Sequence, residues 1–453
     1  MTDKDIAQIL AQKIGEAGGT AYFAGGFVRD SLMGTDNKDI DIEVHGVEPG
    51  RLKEIISAVG ECTQYGESFG VFGIKGRNID IALPRTESVT GCGHRDFDIS
   101  VNPFLGTYKA CIRRDFTINA MLQNILTGEI IDYFGGRGDM KNGVLRRVNE
   151  KSFPEDPLRV LRAAQFAARF EFEIEPETMA LCRSIDISSV SKERVEAELK
   201  KALLKADKPS IFFKTLRSMD KLDVFFDELK ALIGVPQNIK YHKEGDVWTH
   251  TMMVTDEAAK LRDKVFEPYY FMLSAVCHDL GKAAATDIKD GVAHSFGHEK
   301  YSAVISETFL KRFSNEKALI KYVKNMAFYH MKPNVLAAAK SAVKSTNKMF
   351  DSAVSPHDLI YLAKADGLGK LPQSCDETST KFLFERLEVY REYMARPFVQ
   401  GRDLIEAGQK PGKDFSEVLS YAHKLRLAGV EKQSALKQTL SYAKSLEKSK
   451  TDK

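Results

Sequence analysis

The tetrapeptide Asp39-Ile40-Asp41-Ile42 alternates acid and apolar side chains with a period of two, which is the period of a β-strand. In a strand, Asp39 and Asp41 share one face, and Ile40 and Ile42 anchor it to a core from behind. Just upstream, Gly25-Gly26-Phe27-Val28-Arg29-Asp30 reads as a glycine turn. Glycine lets backbone approach a phosphate closely with its amide N–H free to donate. Arg29 can pair with phosphate in a forked geometry. Two carboxylates on one rigid face can hold a divalent metal against a triphosphate. A solitary Asp-x-Asp also suits a solvated edge strand; the glycine turn and arginine before it favour the catalytic reading.

The chain has 453 residues, 43% hydrophobic, which suggests about three domains. Its net charge of +3 neither demands nor excludes nucleic acid, so such a site has to come from local basic patches. Cys62, Cys92, Cys111, Cys182, Cys277 and Cys375 are widely spread without a C-x-x-C pair, unlike a disulfide or zinc framework. The N-terminus lacks an apolar signal core and no run approaches membrane-spanning length. A cytoplasmic protein with no membrane partner is expected.

Up to about Arg147, short apolar runs alternate with glycine turns. Tyr22–Ala24, Ile40–Val44, Val71–Ile74 and Ile79–Ala82 read as strands, and Asp5–Ala17 and Pro49–Val59 as helices. From about Asn149 onward the chain reads as helix after helix. A capping-like Ser191 starts one of these helices, and Gly234-Val235-Pro236 marks a boundary. The expected fold is an α+β head with a small mixed sheet at residues 1–147, followed by mostly all-α segments. These are a neck at 148–234, a histidine-rich domain at 235–370 and a tail at 371–453, with a turn at 409–413 and frayed residues from Lys448.

Further motifs follow in order: Arg113-Arg114-Asp115-Phe116-Thr117-Ile118-Asn119-Ala120, Asp132-Tyr133-Phe134-Gly135-Gly136, and Glu155-Asp156-Pro157-Leu158-Arg159-Val160-Leu161-Arg162. Pro157 suits a first helical position with Asp156 as N-cap, and Arg159 and Arg162 share a helix face. The series GGFVRD, DID, RRDFTINA, DYFGG and EDPLRVLR closely resembles the class II tRNA nucleotidyltransferase and bacterial poly(A) polymerase family, over roughly the first half of the chain.

The resemblance implies transfer of CMP and AMP from CTP and ATP to RNA 3′ ends, typically to rebuild the CCA terminus of tRNA. It implies Mg²⁺ on Asp39 and Asp41. Gly25, Gly26, Arg29, Arg113, Arg114 and Arg162 would bind the nucleotide and secure the head, and Asp156 and Arg159 would read the base. Two departures are visible. Ala110 stands where the family often has an acid, and Gln165 where some relatives have arginine. Asp80 is either a third carboxylate or a structural acid. The segment Thr90–Asp98 matches a family loop tied to switching from C to A, which CC-only enzymes largely lack.

A second constellation is His250, then His278-Asp279-Leu280-Gly281-Lys282, then Asp366. Imidazole and carboxylate together suit a transition metal or Mg²⁺. The order H…HD…D resembles the HD metal-dependent phosphohydrolase superfamily, and implies a divalent metal, of a kind the motif leaves open, on His250, His278, Asp279 and Asp366. His298 and His330 are candidates for phosphate contacts or a second metal. Some bacterial tRNA nucleotidyltransferases carry such a domain after the neck. The competing readings are an A-adding enzyme, a poly(A) polymerase, an HD hydrolase whose head only binds RNA, and a non-catalytic RNA-binding protein.

Overall fold

The computed structural model describes residues 1–35, 37–64, 70–89, 97–373 and 377–451. The chain forms two compact units, Met1–Phe225 and Phe226–Lys453. The division falls before the Gly234–Pro236 boundary expected from sequence.

In the first unit the strands up to residue 131 are β1 (Thr20–Ala24), β2 (Ile40–His45), β3 (Cys62–Gln64), β4 (Val71–Ile74), β5 (Ile79–Ala82), β6 (Arg85–Val89), β7 (Phe97–Val101), β8 (Leu122–Asn124) and β9 (Ile130–Ile131), and beyond them Val144–Leu145 pairs in parallel with Glu173–Ile174. Seven of them make a mixed sheet in the order β3-β4-β5-β2-β1-β8-β9, and β6 and β7 pair separately. Along β2 the period of two holds: Ile40, Ile42 and Val44 are buried and Asp41 is exposed. These apolar residues, with Ile79 and Ile81, pack on Ile6, Leu10 and Ile14 of the helix Asp3–Glu16 and on Leu52, Ile55 and Ile56 of the helix Pro49–Ser57. Each buried aliphatic side chain contributes about 1.5–3 kcal/mol, so the core locks the strand's register and thereby the face on which the acids stand. The opposite face has a smaller apolar cluster of Ala24, Cys111, Ala120 and Leu122.

The antiparallel β1–β2 register sets Phe23 opposite Ile42, so the glycines that follow β1 lie beside the start of β2. Those glycines open the helix Gly25–Leu32. Later in the unit the helix Leu158–Phe170 packs against Lys192–Lys205 and Ser210–Ser218.

The second unit is helical apart from one hairpin, Asp287–Lys289 with Val292–His294. Its turn is Asp290-Gly291, both at positive φ (52° and 75°), a turn type whose twist suits a two-residue hairpin. Helices Val247–Ala259, Pro268–Cys277, His298–Lys311, Lys317–Tyr329 and Pro356–Leu368 form the histidine-rich part. In the tail, Val399, Leu404, Val418, Ala422, Ala435 and Ala443 form a separate core. Among the described residues no helix is long and apolar enough to cross a membrane.

Candidate active sites

β2 and β5 run parallel with Asp41 directly beside Asp80, and Ile40, Ile42, Ile79 and Ile81 buried behind them. Asp80, left open by the sequence, is therefore a third acid at the head of the sheet. Asp39 immediately precedes β2, is exposed, and donates its N–H to Asn37 Oδ1 at 3.0 Å. Although Asp41 is exposed along one edge, the protein around its carboxyl takes away part of its hydration; that desolvation, then Asp80, then Asp39 raise the carboxyl to about 6, against the pull of Arg114 and Arg29. Acids crowded in this way repel one another, and their all-oxygen donor set suits a hard divalent cation such as Mg²⁺. Because a proton must leave Asp41 before it can ligate, Mg²⁺ affinity at this site should fall about tenfold per pH unit below about 6. A Mg²⁺ titration from pH 5 to 8 checks this, and a flat profile would contradict it.

Glu43 continues the same face and was missed in the sequence. It is buried, and it accepts from Arg114 Nη2 at 2.6 Å and contacts His45 Nε2 at 2.8 Å. Burial opposes its charge, but Arg114 and His45 outweigh it and hold the carboxyl at about 2. Arg114 is further fixed by donating from Nη1 to the Asn119 carbonyl at 3.1 Å. Gly25 sits against this arginine: its φ is +59°, and a Cβ there would lie 2.9 Å from Arg114 Nη1. Glycine is required at that position for both reasons. Gly26 follows as the second residue of the helix.

Arg29 is committed to the interior of the head, the second of the two roles that the resemblance implies for it. It is 3% exposed, donates from Nε to Asp30 at 2.7 Å and from Nη1 to Asn119 Oδ1 at 2.6 Å. Its guanidinium lies over the rings of Phe166 and Phe170, at 5.3 and 4.8 Å. Asp30 also accepts from Arg169 at 3.3 Å. Arg29 thus ties the glycine turn to the helix Leu158–Phe170. Arg162 is similarly committed, with Nε donating to the buried Asp115 at 2.7 Å and Nη1 lying 3.8 Å from Glu198.

Asp41, Asp80, Arg113, Arg114, Asp156 and Arg159 line one cavity of about 500 Å³; Asp39, Arg29 and Arg162 do not line it. Arg113 donates to the Arg85 carbonyl. Arg159 donates to the carbonyls of Ser152 at 2.6 Å and Arg113 at 2.7 Å. Asp156 is extended (φ −121°, ψ 101°) and its Oδ1 accepts from Leu158 N at 3.1 Å, so it does cap this helix. Its Oδ2 accepts from Arg194 at 2.8 Å, a partner the sequence did not reveal. Thr90–Asp96, most of the loop associated with the C-to-A switch, lies outside the described residues.

The second site gathers its groups from separate helices. His250 Nε2 lies 3.1 Å from Asp366 Oδ1 and 3.6 Å from Asp279 Oδ2. His278 Nε2 is 3.2 Å from Asp279 Oδ2 and 3.4 Å from His250 Nε2. The other Asp279 oxygen, Oδ1, faces His298 Nε2 at 3.2 Å and His330 Nε2 at 3.5 Å. Asp279 therefore stands between two triads, each compact enough for one metal ion. His298 reaches it because Gly281 lets the helix His298–Lys311 come close; a Cβ on Gly281 would lie 2.2 Å from the His298 carbonyl.

All these groups are buried. Among the described residues Asp279 Oδ1 has no hydrogen-bond donor despite its burial, so a cation beside His298 and His330 would satisfy it. Burial opposes the charges of Asp279 and Asp366. Lys282 and His278 outweigh it at the first, Lys370 and His250 at the second, and both carboxyls stay well below the usual range. Imidazoles with carboxylates suit a transition metal.

Residues 21–146 match the family described as "Poly A polymerase head domain". Residues 171–233 match "Probable RNA and SrmB- binding site of polymerase A", and residues 247–370 match "HD domain". The chain is 38% identical over 317 residues to the multifunctional CCA protein of Pasteurella multocida (strain Pm70), covering 68% of this chain and 73% of that one. To the multifunctional CCA protein of Mannheimia succiniciproducens it is 39% identical over 314 residues, 68% of this chain and 72% of that one. The Bacillus stearothermophilus CCA-adding enzyme in complex with CTP has a similar fold, with a TM-score of 0.67 at 20% identity over 99% of this chain and 100% of that chain. So does the Thermotoga maritima CCA-adding enzyme complexed with tRNA-CCA, with a TM-score of 0.63 at 22% identity over 97% and 95%.

Proposed function

The chain belongs to the family of the multifunctional CCA proteins, and on that premise we propose how its residues add CMP and AMP to the tRNA 3′ end. The observation that carries the proposal is the cavity shared by Asp41, Asp80, Arg113, Arg114, Asp156 and Arg159. Asp39, Asp41 and Asp80 hold Mg²⁺ at one end. Bound there, Mg²⁺ supplies the positive charge that stabilises the attacking 3′-oxygen and the leaving pyrophosphate oxygen. Arg113 and Arg114, beside the acids, neutralise the triphosphate, and Glu43 aims Arg114. Arg29 and Arg162 act one step back: they brace the glycine turn and the Asp115 segment rather than touch the nucleotide.

Asp156 and Arg159 read the base. A carboxylate has about four lone-pair sites. Asp156 uses one on Leu158 N and one on Arg194, so it can still accept from the exocyclic amino group of cytosine or adenine. Arg159 donates to the neighbouring ring acceptor. Uracil and guanine offer a carbonyl oxygen there and are repelled. Asp156→Ala should therefore lower discrimination against UTP and GTP by about ten- to hundredfold, the equivalent of about 1–3 kcal/mol. Arg194→Ala should move it the same way by less. Single-nucleotide addition with each of the four triphosphates is the test; unchanged selectivity in Asp156→Ala would remove the base-reading role.

The HD domain is a second, hydrolytic centre acting on phosphate esters. His250, His278, Asp279 and Asp366 hold one divalent metal, and Asp279, His298 and His330 a second. Such metals supply the acidity that makes water a nucleophile at neutral pH. Lys282 and Lys370, at 2.7 Å from Asp279 and 3.0 Å from Asp366, are placed to meet substrate phosphate oxygens. The tRNA 3′ end, CTP and ATP are the partners of the head. The free cysteines among the described residues suit a reducing cytoplasm.

A further inference from the structure

The four imidazoles of the HD centre do not hold their outer nitrogens alike. His278, His298 and His330 each set Nδ1 against the carbonyl three residues earlier: Ala275 at 2.8 Å, Ser295 at 2.7 Å and Ala327 at 2.7 Å. A carbonyl only accepts, so Nδ1 carries the proton and Nε2 faces the centre with its lone pair. His250 also sets Nδ1 against a carbonyl, that of Gly369 at 3.2 Å, but it alone has a carboxylate beside the same nitrogen, with Glu244 Oε1 at 3.1 Å.

The Glu244 side chain is fully buried, although it belongs to the charged segment Tyr241-His242-Lys243-Glu244-Gly245-Asp246. Two further contacts fix it there. His242 Nδ1 lies 2.7 Å from Oε1, and Leu371 N donates to Oε2 at 2.9 Å. Burying a carboxylate is costly unless its contacts repay it. This one is braced from two sides so that one oxygen meets the back of a metal-facing histidine.

We propose that Glu244 is the positioning residue of the HD centre: it joins the Gly369 carbonyl in accepting the Nδ1–H of His250, adds a negative charge behind the ring, and directs Nε2 at the cation. The inference rests on reading the HD cluster as a metal centre. A carboxylate behind a ligating imidazole strengthens it as a donor, and its loss typically costs 10–100-fold in metal affinity. His242 is a brace for Glu244 and not a ligand.

The test uses the full-length protein and cobalt(II), whose visible absorption reports imidazole ligation, with Asp366→Ala as the control that removes a ligand. Glu244→Ala is expected to weaken cobalt binding about 10–100-fold without changing the number of ions bound. Glu244→Gln, which keeps an acceptor in the same shape, is expected to fold normally and recover much of that affinity. In the metal-free protein, ¹⁵N spectra should show the His250 Nδ1–H resonance shifted in the Ala variant, where the Gly369 carbonyl remains as acceptor, and close to wild type in the Gln variant. Wild-type affinity together with an unchanged Nδ1–H resonance in Glu244→Ala would overturn the positioning role alone. Loss of a whole metal equivalent would make Glu244 a ligand and overturn it too. If no cobalt spectrum in the wild type responds to Asp366→Ala, the metal-centre reading itself falls, and the proposal with it.

Discussion

Replacing Asp41 with alanine is expected to slow CMP and AMP addition at least about a thousandfold, a loss of roughly 4 kcal/mol of transition-state stabilisation. The fold should survive. Asp41 is exposed, and it is Ile40, Ile42 and Val44 that hold β2 in the core. The remaining acids, Asp39 and Asp80, cannot replace it, because Asp41 lies between them, two residues after Asp39 and paired in register with Asp80. Hydrolysis by the HD centre should be untouched, since no HD ligand comes from the first unit. The comparison needs two assays on one preparation: nucleotide addition to tRNA, and cleavage of bis(p-nitrophenyl) phosphate with added divalent metal. Loss of both activities together would refute two independent sites.

The converse substitution is Asp279→Asn. Asp279 offers Oδ2 to the His250–His278 side and Oδ1 to the His298–His330 side, so a neutral amide weakens both triads at once. Metal content at the HD centre should drop to background, and phosphoesterase activity by about a thousandfold or more. Nucleotide addition should stay near wild type. Elemental analysis of the dialysed protein beside the same two assays checks this. Retention of one firmly bound metal would show that Asp279 does not serve both triads.

What the sequence revealed and what it hid follow from the range of each interaction. A period of two is local, so Asp39, Asp41 and the isoleucines behind them were readable. Glu43 lay on the same face by the same rule, but its meaning depends on Arg114, far along the chain. The role of Asp80 required the pairing of β2 with β5, which no single strand announces. The His278-Asp279 pair was legible as a motif, and the Asp290-Gly291 turn was equally legible though unused.

Arg29 is the instructive case. Its motif position suggested the phosphate and the head interface alike, and the contacts that make it an interior brace, with Asn119, Phe166 and Phe170, come from distant segments. Arg194 on Asp156 was hidden for the same reason. Nothing local in the charged segment around Glu244 marks it; the return of Leu371 and the packing of His250 bury its side chain.

The most direct test of the account is the product formed on a tRNA that ends before CCA, incubated with the full chain and all four nucleoside triphosphates and then sequenced at its 3′ end. The account predicts C, C and A in that order and then a stop, with UMP and GMP excluded. Addition of A only to a tRNA already ending in CC, or free incorporation of U or G, would contradict it.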